Sequence, residues 1–317
     1  MVKKKRIKSK SKNVRKVVEK NIAKGSGRHL KNKIKKSFKK AHVKKKVAKK
    51  VHKIRRGVHR ALRKKHRVQR ARKIENKNKR EIVARIATGV PNFDRLIGKG
   101  FEKNTTNLLV GGSGSGKTIF ATQFLIEGIK NGEKCLYVTF EEKKEQFYLN
   151  MKEFGWDLGE YEKKGAFTFL EYTPMKVKTM LEEGGGAIES VILKNKISRL
   201  VIDSITSFEL LFDDELEKRE AALALFGMIR DWDATALLTL EEEPSAQEKI
   251  SSRTLEFESD SIVVLYYIRE DKKAERERYL EIIKMRGTEH SNKVYPFDIT
   301  KKGIFVKKSA VSHFVTG

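Results

Sequence analysis

The chain has 317 residues and a formal net charge of +30 at pH 7, but the charge is confined to one end. Residues 1–80 carry 37 lysines and arginines against two acids, Glu19 and Glu75, a net of +35, while the rest of the chain is mildly acidic at −5. A single cysteine excludes an intrachain disulfide framework. No run of about 18 apolar residues exists for a membrane helix, and the N-terminus lacks the apolar segment of a secretory signal. The expectation is a cytoplasmic protein with no membrane span, built as a basic extension, 1–80, and a globular domain, 81–317.

The extension's composition predicts self-repulsion and disorder. Within it, Val47, Val51, Ile54, Val58 and Leu62 recur at helical spacing, so residues 40–75 could also form one basic amphipathic helix, roughly 50 Å long at ~1.5 Å per residue. Dense lysine and arginine gain by releasing counterions from phosphate, which makes nucleic acid the expected partner, contacted with low sequence specificity. A solvated tail and an anionic membrane surface are the competing readings; Phe38 is the lone aromatic anchor for the latter.

From residue 81 the texture changes to that of a packed domain. Thr88 to Ile97 reads as a turn and a short helix, and 105–110 as a strand. Residues 111–118, Gly-Gly-Ser-Gly-Ser-Gly-Lys-Thr, then satisfy the phosphate-loop pattern G-x-x-x-x-G-K-[ST], with an amphipathic helix following over 118–131. A buried strand at 135–140 holds Cys135, a helix covers 144–154, and a short strand 167–172. After Gly184, Gly185 and Gly186 a helix runs to about Lys196. Strand 199–204 closes on Asp203, a helix covers 214–232, and strands follow at 234–240, 261–268, 279–285 and 293–299, the last three antiparallel. Strand and helix alternation around a phosphate loop predicts an α/β fold with a mostly parallel sheet flanked by helices.

The chemistry of the site follows from residue types at the sheet's carboxyl edge, where α/β folds bind ligands. Gly112, Ser113, Gly114, Ser115 and Gly116 let backbone N–H groups converge on phosphate oxygens, Lys117 reaches the β- and γ-phosphates, and Thr118 offers a hydroxyl to Mg²⁺. Asp203 ends an apolar strand and is the candidate acid for the metal's water shell. Glu141 and Glu142 follow another strand and are candidates to orient the attacking water or take its proton. Thr239, on a neighbouring strand, is a weaker candidate for sensing phosphate.

Thr88-Gly89 with Phe93-Asp94, the phosphate loop, Val138 to Glu142, Val201 to Ser207 and Lys284-Met285-Arg286-Gly287-Thr288-Glu289-His290 occur in the order and approximate spacing of a KaiC domain. Residues 82–308 therefore resemble the KaiC-like branch of the RecA-superfamily ATPases, in particular its single-domain archaeal members. The resemblance implies a RecA-like P-loop core, ATP with Mg²⁺, slow hydrolysis and a hexameric ring with ATP between subunits. It also implies that Glu141 and Glu142 act on the hydrolytic water and that Lys284 and Arg286 are offered to a neighbour's γ-phosphate, with Arg278 and His290 near the same interface. The clock protein has two such domains where this chain has one, no counterpart of its paired phosphoacceptors is evident, and the basic extension has no place in the pattern. The functional expectation is a ring-forming ATPase tethered to nucleic acid by its tail. The alternatives are a RecA/RadA-type recombination paralogue, or a signalling or nucleic-acid-packaging adaptor that uses ATP as a structural ligand.

Overall fold

The computed structural model describes residues 84–173, 176, 186–209, 212, 214–244, 253–269, 275–312 and 314. The basic extension, its apolar stripe over 40–75 and the nucleic-acid partner read from it lie outside the described residues, as do Gly184 and Gly185.

A nine-stranded sheet forms the centre of the domain, in the order β11-β10-β9-β8-β3-β7-β6-β4-β5. The parallel part comprises β8 (Ser261–Arg269), β3 (Thr106–Gly111), β7 (Thr235–Glu241), β6 (Arg199–Asp203), β4 (Cys135–Thr139) and β5 (Phe167–Glu171). β9 (Arg276–Met285), β10 (Tyr295–Thr300) and β11 (Gly303–Val306) extend it in antiparallel fashion from β8. Strands 261–268, 279–285 and 293–299 are thus antiparallel from each to the next, as expected, and the first of them also closes the parallel part against β3.

Both faces of the sheet are covered, which is why β3 and β4 are buried at every position. Alternate side chains go to opposite sides. Leu109, Tyr137, Val201 and Leu237 join Phe120 and Phe124 of helix α1 (Lys117–Lys130) in one core, together with Phe147 of α2 (Lys144–Lys152) and Leu158 of α3 (Leu158–Lys163). Leu108, Val110, Val138, Ile202 and Leu238 face the other way. They meet Ile188 and Ile192 of α4 (Gly186–Asn195) and Leu225, Phe226 and Ile229 of α6 (Glu215–Asp231), while α5 (Thr206–Glu209) and α7 (Arg253–Glu258) lie on the connections. Asp214 caps α6, its carboxylate accepting the N–H groups of Leu216 at 2.9 Å and Glu217 at 3.1 Å, so the acidic first turn is set by its own sequence. Among the described residues no helix is long and apolar enough to cross a membrane.

Three departures from the sequence reading bear on the site. β9 begins at Arg276 instead of 279, because the run Arg-Glu-Arg has no apolar residue to mark it as a strand. A short ribbon of β1 (Arg85–Ile86) and β2 (Phe101–Glu102) brackets a 3₁₀ turn at Asp94–Ile97. β11 and α3 were not expected; each has six residues or fewer, too short for a periodic signal. β11 is tied to α1 by Gln123, whose side chain accepts from Ile304 N at 2.7 Å and donates to Gly89 O at 2.7 Å.

Candidate functional site

β3 delivers the chain directly into the phosphate loop. Gly111, the last residue of β3, is required by close approach: a Cβ there would stand 2.6 Å from the backbone oxygen of Leu265, while at Gly112 the space beside the backbone is taken by the Glu243 carboxylate. Gly114 (φ +74°) and Gly116 (φ +104°) occupy the left-handed region, and Gly116 caps α1. Lys117 is 7 % exposed and turns back on its own loop, donating to Gly111 O at 2.7 Å and Gly112 O at 2.9 Å. Burial pushes its ammonium below the ordinary lysine range, against the opposing charges of Glu241, whose carboxylate is 3.9 Å away, and of Asp203, Glu243 and Glu141.

The carboxyl ends of β4, β6 and β7 bring the other predicted residues to this loop. Thr139 and Asp203 are register partners. Asp203 accepts from Thr118 Oγ1 at 2.8 Å and from the hydroxyls of Tyr137 and Thr239, so the loop is joined to β6 through the pair predicted to serve the metal. Thr239 thereby acts as a support for Asp203. Burial, followed by the charge of Asp203, holds the Tyr137 hydroxyl protonated, well above the usual tyrosine range. Thr139 Oγ1 accepts the N–H groups of Glu141 at 3.2 Å and Glu142 at 3.1 Å, fixing the turn after β4. The two glutamates then diverge. Glu141 is exposed and accepts from Ser207 Oγ. Glu142 is half-buried, its Oε2 has no hydrogen-bond partner, and burial, with Asp203 and Glu141 nearby, raises its pKa above the ordinary glutamate range.

Lys284 and Arg286 are not brought to this loop. Lys284 pairs with Ile262, which pairs with Leu108 near the start of β3, whereas the loop follows the end of β3. At ~3.3 Å per residue, Lys284 lies roughly 20 Å along β9 from Arg278. Its Nζ donates to Glu256 O at 2.7 Å and Phe257 O at 3.2 Å; Arg286 donates to Phe257 O and lies 3.6 Å from Asp260. Phe257 beside them is 73 % exposed. Burial and the charge of Arg286 lower the pKa of Lys284. His290 contacts Thr288 O in the same segment.

Sequence reasoning passed over several residues here. Arg278, grouped by resemblance with the interface, also reaches the phosphate loop: Nε and Nη2 donate to Gly114 O at 3.2 and 3.1 Å. Tyr267 packs beside that contact. Tyr137 is hidden in an apolar strand, and only the register of β4 and β6 assigns it to Asp203. Glu241 and Glu243 follow an apolar strand just as Asp203 ends one, so the same rule could have found them.

The residues present suit a magnesium–triphosphate ligand. Ser115 Oγ is buried within the loop without a hydrogen-bond partner, the group standing over the Gly112 backbone is the end of the exposed Glu243 side chain, and a hydroxyl and a carboxylate are already paired at Thr118 and Asp203. A lysine at the loop and a half-buried acid beside it complete the set needed to bind phosphates and handle a water's proton.

Comparison with known proteins agrees. A family profile described as "ATPase: KaiC" matches residues 86–311. Circadian clock protein KaiC3 of Synechocystis sp. is 35% identical over 232 residues, which cover 71% of this chain and 46% of that protein. A UPF0273 protein of Pyrococcus horikoshii is 34% identical over 235 residues, covering 70% of this chain and 93% of its own length. The crystal structure of a KaiC-like protein from P. horikoshii OT3 superposes with a TM-score of 0.63 at 38% identity, over 71% of this chain and 99% of that one. The chain thus spans about half the length of the clock relative and nearly all of the archaeal ones. A phosphate loop joined through Thr118 to Asp203, on a mostly parallel RecA-like sheet with an antiparallel C-terminal extension, matches these relatives in sequence and shape, and the chain belongs to the KaiC ATPase family.

Proposed function

We propose that the domain binds Mg·ATP at residues 112–118 and hydrolyses it slowly, with the neighbouring subunit of a ring completing the site. The observation that carries this reading is the Thr118–Asp203 hydrogen bond, with Lys117 buried nearby and Oε2 of Glu142 without a hydrogen-bond partner. Thr118 and Asp203 would hold a magnesium ion, which would neutralise phosphate charge when bound. Lys117 exchanges its two loop carbonyls for phosphate oxygens. Glu142 accepts the proton of the attacking water, a task suited to a carboxylate whose pKa is raised toward neutrality, and Glu141 with Ser207 holds the turn that aims it.

Acids crowd the site: Glu141, Glu142, Asp203, Glu241 and Glu243 surround one lysine. A triphosphate adds further negative charge, so the site calls for cations beyond Lys117. Lys284 and Arg286 are too far to serve their own loop and lie beside an exposed phenylalanine, which supports their delivery to a neighbour's γ-phosphate in the hexameric ring that the resemblance implies. Residues 1–80, by charge, would hold such a ring on nucleic acid.

Glu142→Gln should retain ATP binding and lose turnover by about 10²–10⁴-fold, the usual worth of a positioned general base. A variant that hydrolyses ATP normally would sink the assignment. ATPase rates with and without nucleic acid, for the full chain and for a chain beginning at Glu81, test the tail. Tail-dependent binding should fall steeply with salt, and binding indifferent to salt or to loss of residues 1–80 would remove the nucleic-acid role.

A further inference from the structure

The β8–β9 ribbon lays one face against the tip of the phosphate loop. Tyr267 and Arg278 are opposite each other in register, and Arg276 lies two residues along the same face. The Arg278 guanidinium carbon is 4.0 Å from the Tyr267 ring centroid, and that of Arg276 is 5.4 Å away. The ring also touches the loop, its edge carbons standing 3.5 Å from the place a Cβ on Gly114 would take. Two arginines on one face of a strand ribbon would by themselves mean only a solvated surface. The two-point hydrogen bond from Arg278 to Gly114 O, at 3.2 and 3.1 Å, sets this pair apart.

The consequence lies on the other side of that peptide. In a trans peptide the carbonyl and the next N–H point in opposite directions, so turning Gly114 O out to Arg278 turns the Ser115 N–H back across the loop. That N–H meets only a long contact to Gly112 O, 3.3 Å, and remains available to a stronger acceptor. Inward-turned N–H groups are what a phosphate loop binds with.

We propose that Tyr267 is a positioning residue of the nucleotide site: its ring holds Arg278 flat against Gly114 O, and so fixes the aim of the Ser115 N–H at the phosphates of a nucleoside triphosphate. The arginine alone is a long side chain with many rotamers; stacking on the ring selects the one that reaches the loop. This rests on the reading that the loop binds ATP. Tyr267 touches neither the reacting atoms nor the metal ligands Thr118 and Asp203, so it acts on affinity and not on the chemical step.

The test uses the full chain with Mg·ATP, measuring Kd by equilibrium dialysis, KM and kcat by phosphate release, and the melting temperature. Tyr267→Phe keeps the ring and should bind ATP within about twofold of wild type, whereas Tyr267→Leu should weaken binding by about threefold to tenfold, the range for loss of a partly exposed cation–aromatic contact. KM should rise in step while kcat stays within about twofold and the melting temperature is unchanged. Arg278→Lys, which cannot make the two-point bond, should weaken binding similarly, and adding Tyr267→Leu to it should cost less than a further factor of about two, since both act through one contact. Wild-type affinity in Tyr267→Leu, full additivity of the two changes, a loss shared by Tyr267→Phe, or a loss confined to kcat would each overturn the proposal. A wild-type chain that fails to bind Mg·ATP, indistinguishable from Lys117→Ala, would instead overturn the nucleotide reading beneath it.

Discussion

Two buried cations sit at opposite ends of the parallel sheet, and they are treated differently. Arg199, at the start of β6, is 1 % exposed and fully occupied: Nε and Nη2 donate to Glu133 at 2.9 and 2.6 Å, Nη1 donates to Ala87 O and Phe124 O at 2.8 Å, and the guanidinium carbon lies 4.8 Å from the Phe124 ring centroid. Lys117, beyond the end of β3, is 7 % exposed, donates to loop carbonyls and has the Glu241 carboxylate at 3.9 Å. The first is a completed ion pair that ties the segment before the 3₁₀ turn to α1 and β6. The second is held by two loop carbonyls, with one exposed carboxylate at the outer limit of ion-pair distance. Burying charge without a close partner costs stability, so its retention marks a binding site, while the saturated pair marks a structural one.

The largest effects come from exchanging the two. Arg199→Met should destabilise the domain by about 3–5 kcal/mol, because Glu133 and two backbone carbonyls lose their donors. Urea unfolding measures this, and a change below about 1 kcal/mol would show that the pair is not structural. Adding Glu133→Gln should recover only part of the loss, since Ala87 O and Phe124 O stay unserved. Lys117→Ala should do the reverse, abolishing ATP binding while leaving unfolding unchanged or slightly shifted toward greater stability. The pair also carries a pH signature. Burial raises the Glu133 pKa, but hydrogen bonds and charge from Arg199 outweigh it and hold the folded-state value below the ordinary one. Its contribution is therefore present above the unfolded-state pKa and lost as pH falls through the lower, folded value, so Arg199→Met should flatten acid unfolding in that range.

A second contrast appears in the pH dependence of turnover. Burial raises Glu142 and lowers Lys117, moving both toward neutrality. On the acid side, kcat should begin to fall above the ordinary glutamate range as Glu142 becomes protonated. On the alkaline side, ATP affinity should fall below the ordinary lysine range as Lys117 loses its charge. The resulting profile is narrower than unperturbed groups would give. Activity that persisted unchanged to the pH of an ordinary glutamate would remove Glu142 as the base.

The two ends of the sheet also differ in how much the sequence disclosed. The loop, Asp203 and the Glu141–Glu142 pair were legible because each is a local pattern: glycines before Lys-Thr, or an acid closing an apolar strand. Lys284 and Arg286 were named only through resemblance, and β9 register places them far from the loop of their own chain. Arg278 too was named only through resemblance, and Tyr137 and Tyr267 were not legible. Their roles depend on which strands are neighbours, β6 beside β4 and β8 beside β3, and a parallel sheet sets that order by long crossovers that leave no short-range mark. Arg199 was read as one more residue of a buried strand; its partners come from 66, 75 and 112 residues away.

The smallest expected effect concerns the acids that share the loop with Lys117. The Glu243 carboxylate lies against Gly112, whose carbonyl Lys117 holds, so it stands at the lysine end of the loop, where β- and γ-phosphates bind. A negative charge there opposes an incoming triphosphate, and because Glu243 is exposed, water screens most of that repulsion. A unit charge at ~6 Å through water is worth about a threefold change in affinity. Glu243→Gln should therefore tighten Mg·ATP binding by about threefold at low salt and by less at high salt, with little change in the melting temperature. Weaker binding would mean that Glu243 helps to hold the metal or the nucleotide, which would make it a partner of Asp203 and leave Lys117 with less opposition than its surroundings imply.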